Sequence, residues 1–116
     1  MKTACFMMFV ALFAAPLSAA ETKPQLHCTA GPVEKTYGGT KWLVHSCDDG
    51  MSLVFTAMAG PAAPFEFDLT HTGKGYDLDG RGKGQNSATD AAYGDLQKLR
   101  AADILKLIQE TQRVKR

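Results

Sequence analysis

Three aspartates in the second half of the chain have the types and spacing that could do chemistry. Asp77-Leu78-Asp79-Gly80 resembles the start of a calcium-binding loop, and antiparallel pairing of the two flanking strands would place Asp68 opposite Asp79. Like charges in that position repel each other, and a bound hard cation would relieve the repulsion. The loop pattern then fails, because Arg81 stands where a third oxygen ligand belongs and Ala88 where a bidentate glutamate belongs. A solvated polar face, with Arg81 opposite Glu66, is the alternative interpretation.

Cysteine and histidine offer a second kind of chemistry. Cys28 and Cys47 are predicted to form a disulfide in an oxidising compartment. The bond would close a loop of about 18 residues and stabilise the fold by roughly 3 kcal/mol. A redox or metal-binding pair is the alternative, in which reduced Cys28 and Cys47 converge with His45 on a soft metal. His27 and His71 suggest no further ligand set.

Other signatures of catalysis or cofactor binding are weak. The sequence contains no G-x-S-x-G nucleophile motif. The run Gly80-Arg81-Gly82-Lys83-Gly84 offers backbone donors and two cations to an anion, yet no Ser or Thr follows the lysine as a P-loop requires. We therefore predict no cofactor, and we expect binding rather than catalysis.

The N-terminus predicts export. Lys2 precedes an almost wholly apolar run, Ala4 to Ala15, and Ser18-Ala19-Ala20 supplies small residues for cleavage before Glu21. We expect residues 1–20 to be a signal peptide and residues 21–116 to be a single small α+β domain, delivered to the periplasm or secreted. After cleavage we expect no segment that could span a membrane.

The charge balance narrows the class of partner. The chain has 13 basic and 12 acidic side chains, and removal of Lys2 leaves 12 of each. A neutral domain disfavours nucleic-acid binding through bulk charge and disfavours a polybasic membrane anchor. The expected partner is a protein or a component of the cell envelope, with no prediction for the oligomeric state.

Two hairpins are predicted to build the sheet. Lys41–Asp48 and Met51–Met58 flank Asp49-Gly50, which favours a type I′ turn. That turn pairs Ser46 with Leu53 and Val44 with Phe55, and it places Trp42, Val44, Leu53 and Phe55 on one buried face.

The second hairpin has the clearer alternation. Residues 65–71 and 76–82 flank a turn at Gly73-Lys74, so Phe67 pairs with Gly80 and Phe65 with Gly82. Each aromatic ring would cover a neighbour that has no side chain.

Helices are predicted at residues 88–99 and 102–112, with a bend near Ala101 and a capping box at Ser87–Asp90. The second helix has an apolar stripe of Ile104, Leu105 and Ile108, and a single long helix is the alternative. Leu26–Ala30 is expected to be a short strand, followed by a mainly irregular segment to Thr40. The predicted fold is α+β: an antiparallel meander of four or five strands packed on two C-terminal helices, with one disulfide.

Three hypotheses of function follow from these residues. The first is a non-catalytic binding module, whose exposed aromatic side chains could come from Tyr37, Trp42 or Tyr93, although Trp42 is also the expected core residue of the first hairpin. The second is an inhibitor of an envelope or extracellular hydrolase, acting through Gly60–Pro64 or Tyr37–Thr40 as a wedge. The third is an enzyme or cation-binding protein that uses Asp68, Asp77 and Asp79.

Overall fold

The protein is a two-layer α+β domain in which one antiparallel sheet packs against two helices. The computed structural model describes residues 25–114, so the predicted signal peptide lies outside the described residues. The elements are β1 (Ala30–Tyr37), β2 (Thr40–Ser46), β3 (Leu53–Ala57), β4 (Phe65–Thr72), β5 (Gly75–Gly82), α1 (Asn86–Gln97) and α2 (Ala101–Val114). Strand order in the sheet follows chain order from β1 to β5, as a meander requires.

Both predicted hairpin registers are confirmed. β2 and β3 pair Ser46 with Leu53 and Val44 with Phe55. β4 and β5 pair Phe67 with Gly80 and Asp68 with Asp79. A shift by one residue would carry the apolar side chains to the opposite face, which is why the pattern specifies the register so firmly.

The connection between β2 and β3 differs from the predicted two-residue turn. Cys47 N donates to Ser52 O at 3.0 Å, and Gly50 N donates to Cys47 O at 3.0 Å, so residues 48–51 all belong to the loop. Asp49 organises the loop by accepting from Met51 N at 2.9 Å, Ser52 N at 2.8 Å and Ser52 Oγ at 2.6 Å. These bonds outweigh the effect of burial and leave the pKa of Asp49 below its usual value.

The edge strand β1 was predicted as a mainly irregular segment, and that prediction is wrong. Its inward positions include Lys35, which pairs with Trp42 and masks the apolar alternation. Lys35 reaches α2 instead, where its Nζ lies 2.8 Å from Glu110 Oε1. The turn to β2 is Gly38-Gly39, with φ of 59° and 80°, which are the two positive values that a type I′ turn requires. The predicted strand at Leu26–Ala30 is irregular up to Thr29.

The core lies between the inner face of the sheet and the helices. Trp42 and Phe55 are fully buried, and α1 and α2 contribute Ala92, Leu96, Ile104, Leu107 and Ile108. The Trp42 Nε1–H is shared between Tyr37 O at 3.2 Å and Thr40 Oγ1 at 3.0 Å, so burial of the indole leaves no donor unpaired.

The helix boundaries confirm the predicted break near Ala101, but the predicted capping box is wrong. Helix α1 begins at Asn86 after Gln85, which makes no side-chain cap. Gln85 N donates to Pro61 O at 2.9 Å, so a tertiary contact fixes the helix start before Ser87 is reached. Leu105, expected in the apolar stripe of α2, is 54% exposed, and Leu107 is buried in its place. Within residues 25–114 no helix is both long enough and apolar enough to cross a bilayer.

Candidate functional site

The outer face of the sheet, opposite the helices, carries a cavity of about 360 Å³ that we call the outer cavity. The disulfide Cys28–Cys47 ties the N-terminal segment to the end of β2, and Leu26 and Cys28 form one wall. Val54 of β3 lies in the lining. The opposite wall comes from β4 and β5, which contribute Glu66, Asp68, Thr70 and Arg81. The predicted disulfide therefore also shapes a concave surface.

Arg81 bridges the two carboxylates of this wall. Its Nη2 lies 2.7 Å from Glu66 Oε2 and 2.9 Å from Asp68 Oδ2. The register explains the bridge, because Arg81 pairs with Glu66 and Asp68 is the next outward residue on β4. The pKa of Arg81 is raised, first by its hydrogen bond to Asp68 and then by the negative charges of Asp68 and Glu66.

One guanidinium cannot satisfy both acids completely. Asp68 Oδ1 is buried and, while Glu66 is ionised, has no hydrogen-bond partner among the described residues. The pKa of Glu66 is raised, first by a hydrogen bond that its carboxyl shares with Asp68, and then by burial and by the Asp68 charge, while Arg81 acts in the opposite direction. The wall of the outer cavity thus holds more negative than positive charge.

The three predicted acidic residues do not act together. Asp68 and Asp79 are directly opposite, as predicted, but Asp68 turns to Arg81, and Asp77 and Asp79 are exposed on β5. Over residues 25–114 no three side chains of His, Cys, Asp or Glu gather as metal ligands would. This arrangement gives no support to the cation-binding hypothesis on Asp68, Asp77 and Asp79.

The remaining chemical candidates have structural roles. Cys28 and Cys47 are joined, so neither thiol is left to bind a metal with His45. The backbone N–H of His71 donates to Ser52 Oγ at 2.9 Å, and its ring lies edge-on to Tyr76. Gly80 and Gly82 lie under the rings of Phe65 and Phe67, as predicted. A Cβ added at Gly80 would lie only 2.6 Å from Cε1 of Phe67.

Both predicted inhibitory wedges are attached to the rest of the fold by buried or hydrogen-bonded groups. Within Gly60–Pro64, Ala62 is fully buried in the core and the loop is hydrogen-bonded to residues 83 and 85. At the Tyr37–Thr40 turn, Gly38 packs against the backbone of α1 and donates its N–H to Asp95 Oδ2 at 2.6 Å. Both segments are therefore anchored to the rest of the protein, and in the first of them Pro61 and Pro64 remain exposed.

The predicted aromatic patch is dispersed. Trp42 is buried in the core, and Tyr37 packs edge-on against Phe55. Burial is the main cause that raises the pKa of Tyr37 to about 12. Of these three residues, Tyr93 alone is exposed at the surface, where it stacks on Phe67.

Comparison with protein-family models, with curated proteins and with solved structures gives no significant match, so no relative supplies a function or a site.

Proposed function

We propose that this protein is an exported, non-catalytic binding module whose outer cavity receives a cationic side chain of a partner protein. The observation that carries the proposal is the pair of carboxylates, Glu66 and Asp68, that line the outer cavity and share the one guanidinium of Arg81. A cation that enters the cavity would balance the remaining negative charge.

The chemistry of the cavity favours a lysine or arginine as the entering group. Glu66 and Asp68 share a single cation, Arg81, so a second cation would balance the pair. The apolar stem of a lysine or arginine would lie along Leu26, Val54 and the disulfide, which line the same cavity. Charge-assisted hydrogen bonds of this kind are about twice as strong as neutral ones.

Export belongs to the same proposal. The N-terminal pattern of Lys2, an apolar run and small residues at 18–20 supports a signal peptide, and the disulfide suits an oxidising compartment such as the periplasm. A periplasmic or secreted partner is therefore the one to seek.

Affinity capture from envelope extract tests the proposal with a matched pair of variants. Asp68→Asn removes the charge and places an amide in the cavity, whereas Glu34→Gln removes a charge from the exposed part of β1, outside the cavity lining. We expect wild type and Glu34→Gln to recover the same protein and Asp68→Asn to recover at least several-fold less. Equal recovery by all three would refute the proposal.

A further inference from the structure

The two edges of the sheet are protected very differently. β1 contains Pro32, which lacks a backbone donor, and its Lys35 is bound to Glu110 of α2. β5 lies at the other edge, and within residues 25–114 no backbone hydrogen bond outside the β4–β5 ladder reaches its outward side. An unprotected edge of this kind is a template for another strand.

The register identifies which backbone groups of β5 are open. The turn at residues 73–74 makes Thr72 and Gly75 a hydrogen-bonded pair. Alternate residues from Gly75 onwards therefore direct their N–H and C=O groups towards β4. The intervening residues direct theirs away from the sheet, and they are Tyr76, Leu78, Gly80 and Gly82.

A cavity of about 380 Å³ lies beside this edge on the helix side of the sheet, and we call it the edge groove. Tyr76 and Leu78 form its sheet side, and Tyr93 and Leu99 form its helix side. In an antiparallel pair, directly opposed residues share a face. A partner residue opposite Leu78 would therefore point into the edge groove.

We propose that an extended peptide segment of a partner protein adds to β5 as a sixth strand, with apolar side chains in the edge groove and basic side chains on the outer face. Main-chain hydrogen bonds would supply affinity, and the alternating side chains would supply selectivity. This proposal concerns a surface distinct from the outer cavity and does not depend on it.

Charge argues for the basic character of the partner. The outward side chains of β5 near the edge are Asp77 and Asp79, both exposed, and neither forms a salt bridge within residues 25–114. Arg81, the cation on the same strand, is held by Glu66 and Asp68. A second copy of β5 would place the carboxylates of both chains on one face, and that repulsion disfavours self-pairing.

The test uses the folded protein and a blocked peptide of alternating lysine and valine, with a glutamate–valine peptide as control. Amide hydrogen exchange read by NMR resolves the proposed edge residue by residue. We expect the lysine peptide to slow exchange at Tyr76, Leu78 and Gly80 while Asp77 and Asp79 change little, because their amides are already bonded to β4. The glutamate peptide should have no such effect.

Two charge variants test the partner's chemistry without disturbing the core. Asp77→Asn and Asp79→Asn should each weaken peptide binding about two- to fivefold, as expected for exposed ion pairs. Glu34→Gln on β1 removes a charge from an exposed residue at the opposite edge of the sheet and should leave binding unchanged.

Three results would overturn the proposal. One is equal protection by the two peptides, and another is protection centred on Val54 and Asp68 instead of the alternate residues of β5. The third is protection of the β5 edge that appears with rising protein concentration in the absence of peptide, since that would identify a second copy as the occupant.

Discussion

Arg81 Nη2 lies 2.9 Å from Asp68 Oδ2, whereas the other oxygen of the same carboxylate is buried with no partner among the described residues. The same guanidinium also binds Glu66 at 2.7 Å. One guanidinium is thus shared by two acids, and the lining of the outer cavity keeps more negative than positive charge. The site is defined by this imbalance and by the wall that the disulfide holds in place.

Glu66 should make stability fall as the pH rises. A carboxyl whose pKa is higher in the folded than in the unfolded state binds more protons when folded, so it stabilises the fold most below its usual pKa. That contribution is lost as the pH rises from the usual pKa of glutamate through the raised value.

We therefore expect Glu66→Gln to flatten the acid end of the stability profile. Urea unfolding measured across this pH range should show the free energy of unfolding of the variant rising relative to that of wild type as the pH increases. Glu34→Gln, on the exposed part of β1, is the control. A difference between Glu66→Gln and wild type that stays constant with pH would show that the raised pKa is absent.

Gly80→Ala should destabilise the protein. A Cβ at this position would lie 2.6 Å from Cε1 of Phe67 and 2.8 Å from Cε1 of Phe65, so the rings must move. Overpacking of this kind costs about 1–3 kcal/mol. Gly73→Ala is the matched control, because no atom lies within 4 Å of its Cβ. Equal urea midpoints for the two variants would contradict the packing.

The buried hydroxyls of Ser46 and Thr111 should be energetically coupled. Thr111 Oγ1 lies 2.7 Å from both Ser46 Oγ and Ile108 O, so its one proton goes to the carbonyl and it accepts from Ser46. Thr111→Val leaves the Ser46 donor unpaired at a cost of about 1–3 kcal/mol. The double variant with Ser46→Ala should recover part of that loss, and strictly additive unfolding free energies would exclude the coupling.

Loss of the disulfide should weaken both the fold and the outer cavity. Replacing Cys28 and Cys47 with serine opens a loop with a sequence separation of 19 and should cost about 3 kcal/mol. Intact mass should rise by two hydrogens on reduction of the wild type. A variant as stable as wild type in urea would show that the N-terminal segment is held by other contacts.

The sequence predicted the parts of the fold that depend on local pattern and on short hairpins. Phe65, Phe67 and Leu69 alternate cleanly with polar residues, so a slip by one residue would turn them outward and bury aspartates. β1 was missed because Lys35 occupies an inward position, where only a distant residue, Glu110, makes it acceptable. No local pattern could reveal that pairing.

The candidate site was only partly predictable for the same reason. The cross-strand positions of Glu66, Arg81, Asp68 and Asp79 followed from the register. Whether Arg81 binds both Glu66 and Asp68 depends on the length and rotamer of its side chain. The position of Leu26 in the cavity wall depends on where the disulfide fixes the N-terminal segment. Both features depend on tertiary contacts that the local sequence does not reveal.

The most direct test of the outer cavity follows the carboxyl carbons by NMR while a blocked lysine amide or a blocked arginine amide is added. Our account predicts a saturable shift at Asp68 and Glu66, no comparable shift at Glu34 on β1, and loss of the Glu66 shift in Asp68→Asn. A response at Asp68 no larger than that at Glu34 would contradict a cation-binding role for this cavity.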